Sequence, residues 1–172
     1  MEFSTKIDRL VQIISVGTII FLFVIFFIIN SNETSAEAQY LTFALVIGIP
    51  IITYALAPRG FVINQDGIVI KRLLGPVRIG HNDIKKITQF DKFGHKFRSN
   101  FIGSKGLFGY YGYLYLHQKG VYRLFITTLK DVVLIETDKK KYLLSPYPMN
   151  TFLLTLSSFT PNITIERKEK FS

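Results

Sequence analysis

Three histidines, His81, His95 and His117, and a run of twelve carboxylates are the side chains of this 172-residue chain best suited to chemistry. A helical metal pair needs histidines at i and i+3 or i+4, whereas these lie fourteen and twenty-two residues apart, the spacing of ordinary surface or loop histidines. No cysteine occurs, which excludes disulfides, thiol catalysis and cysteine-based metal sites and fits a reducing compartment. No Gly-x-Ser-x-Gly elbow offers a nucleophile. Asp66, Asp83, Asp131 and Asp138 fall in segments that read as turns, where a carboxylate serves the backbone. The expectation is a protein that is not an enzyme and carries no catalytic residue, cofactor or metal.

Binding chemistry is better represented. Glycines at 103, 106, 109 and 112 recur every third residue among Phe108, Tyr110, Tyr111, Tyr113 and Tyr115. A phosphate-cradling loop runs glycine, lysine, then serine or threonine into a helix; Ser104-Lys105-Gly106 reverses that order. Ile102-Gly103-Ser104-Lys105-Gly106 does match the Ile-Gly-x-x-Gly loop of KH modules, which makes RNA binding through Gly103 to Gly106 a third reading. A KH loop joins two helices, though, and the later glycines and alternating tyrosines argue strand and against nucleic acid. The simpler account is backbone at positive φ, bulges or close backbone approach where an aromatic ring must lie over the main chain, with tyrosines packing a small barrel. The functional alternative has Phe108, Tyr110 and Tyr111 projecting toward a headgroup layer.

Upstream, Phe90, Phe93, Phe97 and Phe101 are spaced by three, four and four residues, with Lys92, Lys96 and Arg98 between them. On a helix this is a basic amphipathic element for the membrane interface; as strand or loop, the phenylalanines enter the core, and Gly94 favours the second. From 92 to 105 there are four Lys or Arg and no acidic residue. Lys92, Lys96, Arg98, Lys105, Tyr110 and Tyr111 are therefore the candidate contacts for anionic lipid headgroups or an acidic partner, against the plainer reading of a solvated face.

The elements that must position these residues divide the chain in two. Residues 10–29 and 40–57 carry no charge, and twenty helical residues at about 1.5 Å each span a hydrocarbon core of roughly 30 Å. A cleaved leader is the alternative for the first run, with Ala36-Glu37-Ala38 as its site, but the apolar stretch is long, the site lies well beyond its end and a second span follows. The connector holds Glu33 and Glu37 and no Lys or Arg. Lys6 and Arg9 precede the first span, and Arg59, Lys71 and Arg72 follow the second. The bias of basic residues predicts a multi-pass protein of the cytoplasmic membrane with both termini cytoplasmic. Neither span carries an ionisable side chain of the kind that marks a transport path, so residues 1–58 read as an anchor.

The chain's net charge of +9 is concentrated beyond the anchor. From Arg59 onward nineteen Lys and Arg face eight Asp and Glu, and a basic face near anionic headgroups gains about 1 kcal/mol per Lys or Arg. Two-residue alternation with turn signals at Asn64-Gln65-Asp66-Gly67, Gly75-Pro76, Lys119-Gly120 and Asp138-Lys139 predicts about seven short antiparallel strands. Asn150 or Thr151 can cap a following helix whose Phe152, Leu153, Leu156 and Phe159 share a face. The expected architecture is a two-helix transmembrane hairpin, a mainly-β barrel over 59–160 closed by that helix, and a frayed charged tail over 161–172.

Residues 61 to 158 also resemble the bacterial pleckstrin-homology (PH) family, in its branch with two N-terminal membrane helices. The similarity rests on the hairpin from Gly67 to Pro76, the glycine-aromatic stretch from Arg98 to Gly112, Val133-Leu134-Ile135-Glu136-Thr137 leading to Lys140-Lys141-Tyr142, and Ser145-Pro146 with Phe152 beyond. The resemblance implies a bacterial inner-membrane scaffold or adaptor without catalytic residues, usually a homo-oligomer. Its partner is then anionic lipid or another membrane protein, for which the chain is an accessory subunit.

Overall fold

The computed structural model describes residues 1–31, 35–94, 100–117 and 120–171, and it begins with a strand rather than with the first apolar helix. That strand, β1 (Glu2–Thr5), pairs antiparallel with β2 (Gly60–Ile63), setting Phe3 opposite Phe61. Between them run α1 (Arg9–Ser31) and α2 (Ala36–Leu56). Both helices are long and apolar enough to cross a membrane. Only Val11 and Ser15 of α1 and Val46 of α2 are buried, and Phe27 is 73% exposed. Apolar surface on this scale is stable where lipid replaces water. Pro50 lies inside α2, where the Thr53 hydroxyl donates to the Ile49 carbonyl at 2.6 Å.

The β domain continues with β3 (Gly67–Lys71), β4 (Val77–Gly80), β5 (Ile84–Phe93), β6 (Phe101–Lys105), β7 (Tyr110–Leu116), β8 (Gly120–Ile126), β9 (Lys130–Thr137), β10 (Lys141–Leu144), β11 (Pro146–Tyr147), α3 (Met149–Phe159) and β12 (Ile165–Phe171). The expected turns at Asn64–Gly67 and Asp138-Lys139 form, while Lys119 of the expected Lys119-Gly120 turn lies outside the described residues. The Asn64 side chain accepts from the amides of Asp66 and Gly67 between β2 and β3, and Thr137 brackets the Asp138-Lys139 turn by bonding Lys140.

Mainly-β structure with a C-terminal helix is as expected, but the strands make two sheets rather than a closed barrel. One has the order β11-β1-β2-β3-β4 and the other β12-β5-β9-β10-β8-β7-β6. Two pairings, β10–β8 and β12–β5, are parallel. The tail is ordered as β12, whose Lys86–Glu166 and Arg167–Asp91 ion pairs line its junction with β5. Such charges on an outermost strand discourage further pairing. The N-terminal five residues likewise belong to the β domain. Helix α3 is preceded by Pro148 at the cap position, without a side-chain cap from Asn150 or Thr151.

At β9 both faces of the seven-stranded sheet are buried, which explains the unbroken Val132-Val133-Leu134-Ile135. Val133 and Ile135 face the first sheet and Phe152 of α3 in one core. Val132 and Leu134 belong to a second core with Phe90, Phe101, Tyr122 and Phe171. The sheet curls to enclose it: Phe171 on the outermost strand reaches Tyr122 on β8 at 5.5 Å between ring centroids. Val11 at the base of α1 packs into the same core.

Candidate functional site at the helix–sheet junction

The tight loop between β6 and β7 is a saddle for both apolar helices. Gly103 and Gly112 face each other across the hairpin at φ +142° and +138°, and a Cβ on either would lie 2.2 Å from a carbonyl oxygen of the opposite strand. The glycine rhythm is thus a close strand approach in a β-hairpin, which removes the helix–loop–helix setting that the RNA reading requires. At the tip, the Ser15 hydroxyl of α1 accepts from the Phe108 amide at 2.9 Å and lies 2.7 Å from the Val11 carbonyl and 3.3 Å from that of Gly106, to either of which it can donate. Helix α2 rests on the same loop through Tyr54, whose ring meets Phe108 edge-on at 5.2 Å. Ser15→Ala leaves the Phe108 amide without its partner, and an expected loss of about 1–3 kcal/mol is measurable as a lowered unfolding midpoint of the detergent-solubilised chain.

Further bonds fix the helix bases. The Asp8 amide donates to the Thr127 carbonyl at 3.0 Å, the Asp8 carboxylate accepts from the Leu129 amide at 2.9 Å, and the Leu74 amide donates to the Ala55 carbonyl at 2.9 Å. The Tyr111 hydroxyl donates to the Thr53 carbonyl, and burial raises its pKa, so it remains a donor at neutral pH.

Beside this junction opens a cleft of about 700 Å3. Ile14 of α1 and Leu56 of α2 form one wall; Ile102, Tyr113 and Phe125 of β6 to β8 form the other. Arg72 and Arg123 enter it, their guanidinium carbons 5.5 and 5.4 Å from the Phe125 ring centroid, and Arg123 also lies 5.5 Å from the Tyr113 ring. Among the described residues neither arginine has a carboxylate within 4.0 Å. The Arg72 pKa is lowered, chiefly by burial and then by the charge of Arg123. Two of the five Arg72 donors are held by the Gly75 and Leu74 carbonyls.

The six residues picked from sequence separate in space. Lys105 and Tyr111 line the cleft. Tyr110 is enclosed in the second core. Lys92 stands elsewhere, in register with Lys130 on β9 and Lys170 on β12. These three lysines form a row across three strands, and none makes an ion pair among the described residues. Lys96 and Arg98 lie outside the described residues. The phenylalanine repeat resolves as strand rather than interfacial helix for Phe90, Phe93 and Phe101, all buried; Phe97 lies outside the described residues. Sequence reasoning missed Arg72, Arg123, Lys130 and Lys170. Nothing local marks them, since Lys130 adjoins Asp131 and Lys170 adjoins Glu169, and their grouping depends on strand register.

Of the histidines, His81 stacks on Phe159 at 4.9 Å and its Nε2 lies 2.8 Å from the Asn64 carbonyl, a structural role. Among the described residues no three His, Asp or Glu gather as metal ligands.

A β-sandwich with one helix laid across its end, entered from a pair of apolar helices, defines a PH-like module. A model of the bacterial PH domain matches residues 59–159, and the chain belongs to that family. The match leaves out β1 and β12, the two strands that complete the sheets. No curated protein and no solved structure matches the chain.

Proposed function

We propose that this protein is a non-catalytic, multi-pass PH-like module of the bacterial inner membrane, a scaffold or adaptor whose basic β domain is held against the anionic inner leaflet. The observation that carries the reading is the shortness of the connections. Three residues separate β1 from α1 and three separate α2 from β2, so each connection spans at most about 11 Å. Because β1 and β2 are paired neighbours, both helices leave the domain at one place. The lysine row begins next to Leu129, which holds Asp8 at the foot of α1. Lys92, Lys130 and Lys170 then meet the headgroups, and the otherwise repulsive in-register row is neutralised by lipid phosphate. Both termini lie on the cytoplasmic side, with the connector outside.

The absence of cysteine makes single-site labelling direct. In reconstituted full-length protein, Ser35→Cys reacts with an impermeant maleimide added on the connector side, and a fluorophore on Lys130→Cys is quenched by headgroup-nitroxide lipid only on the opposite side. Labelling of both positions from one side, or an unquenched fluorophore, overturns the reading. An accessory-subunit role is favoured by β6, which ends the seven-stranded sheet with Ile102 66% exposed and offers a strand for another protein to extend.

A further inference from the structure

We propose that the cleft between the helix bases and β6 to β8 is a built site for one anionic phospholipid, with its phosphodiester between Arg72 and Arg123 and its acyl chains along Ile14 and Leu56. The inference rests on the membrane-anchored reading and goes beyond it in naming a particular site, separate from the lysine row.

Two independent features of the cleft select the occupant. The first is charge. Two guanidiniums flank one phenylalanine ring, Lys105 lines the same space, and no carboxylate answers either arginine among the described residues. Bringing like charges together in a partly buried place is unfavourable unless an anion joins them, and the planar guanidinium fork suits phosphate oxygens. A zwitterionic headgroup brings its own cation to a site whose lining, among the described residues, has no carboxylate to receive it. The second feature is the apolar wall. Ile14 and Leu56 belong to helix ends that continue directly into the uncharged spans. A molecule seated here therefore has its phosphate at the junction and its chains beside the helices. A soluble anion uses the arginines but leaves that wall exposed to water, so the cleft as a whole fits an amphiphile.

The saddle strengthens the assignment. Ser15, Tyr111 and Tyr54 lock both helices to the β domain through contacts that leave the cleft open. The cleft is thus a fixed gap between rigid walls, and a lipid filling it would tie α1 and α2 to the β6–β8 surface.

The test uses full-length protein in nanodiscs of equal phosphatidylglycerol and phosphatidylcholine, gently extracted and weighed by native mass spectrometry. The expected result is one phosphatidylglycerol retained per chain. Arg123→Gln leaves the Arg72 backbone bonds in place and should lower retention about tenfold, the loss expected for a charge-assisted contact. The combined Lys92→Gln, Lys130→Gln and Lys170→Gln variant should retain the lipid. Equal retention of phosphatidylcholine, unchanged retention in Arg123→Gln, or displacement by millimolar inorganic phosphate would each overturn the proposal. A chain that fails to enter nanodiscs sinks the membrane-anchored reading instead, whereas a chain that enters and comes out bare sinks only the lipid site.

Discussion

Gly112→Ala destabilises the protein by about 3 kcal/mol or more, the sum of backbone strain of about 1–3 kcal/mol and the separation of two strands. Gly112 sits at φ +138°, where an L side chain is strained, and its added Cβ would lie 2.2 Å from the Ile102 carbonyl oxygen. That atom is backbone, so relief requires β6 to move away from β7. Gly103 has the mirrored relation to the Tyr111 carbonyl, so neither strand can yield without disturbing the other. Gly75 supplies the comparison: it too has positive φ, at +74°, but nothing lies within 4 Å of its would-be Cβ. Gly75→Ala therefore carries only the conformational penalty, about 1 kcal/mol. Thermal unfolding of the full chain in detergent separates the two, and equal midpoints for the variants would refute the close-approach account. Function follows the same route, because β6 and β7 carry the saddle under both helices and one wall of the arginine cleft. Gly112→Ala should weaken lipid retention along with stability.

That glycine rhythm was legible in the sequence only as positive φ, a bulge or close backbone approach, and the structure selects close approach of two strands at Gly103 and Gly112. The two long apolar helices were legible for a direct reason, the absence of charge over residues 10–29 and 40–57. So were the Asn64–Gly67 turn and the apolar face of α3. What could not be read depended on partners far along the chain. Glu2–Thr5 is four residues with no alternation of its own, and it becomes a strand because Phe61 and Tyr147 stand ready to pair with it. Ile165–Phe171 reads as a charged tail, yet Phe171 stacks on Phe93 at 4.8 Å and so anchors β12 to β5. The site divides in the same way. Lys92 and Lys105 drew notice as members of one basic stretch, but folding sends Lys92 to the lysine row and Lys105 to the cleft. Each then acquires neighbours, Lys130 and Lys170 or Arg72 and Arg123, that only register could bring there.

The strand order also governs how the module can be dissected. Because β1 precedes the helices, a fragment starting at Arg59 lacks the strand that pairs with β2 and exposes Phe61. Phe152→Ala probes that dependence without cutting the chain. Phe152 is fully buried, meeting Phe3 edge-on at 5.1 Å and Phe61 at 6.3 Å. Truncating such a residue costs about 3–5 kcal/mol, combining lost apolar transfer with a residual cavity. Leu154, on the opposite side of α3 and 72% exposed, should tolerate alanine within about 0.5 kcal/mol. The distinguishing readout is local. With Phe152 gone, β1 loses the ring that holds Phe3, so hydrogen exchange at the β1 amides should accelerate together with those of α3. The Asp8 and Ser15 contacts to the domain do not touch Phe152 and should hold the base of α1 in place. Faster exchange confined to α3, with β1 protected as before, would mean that the first strand is secured by β2 and β11 alone, and that the helix merely covers a sheet already complete.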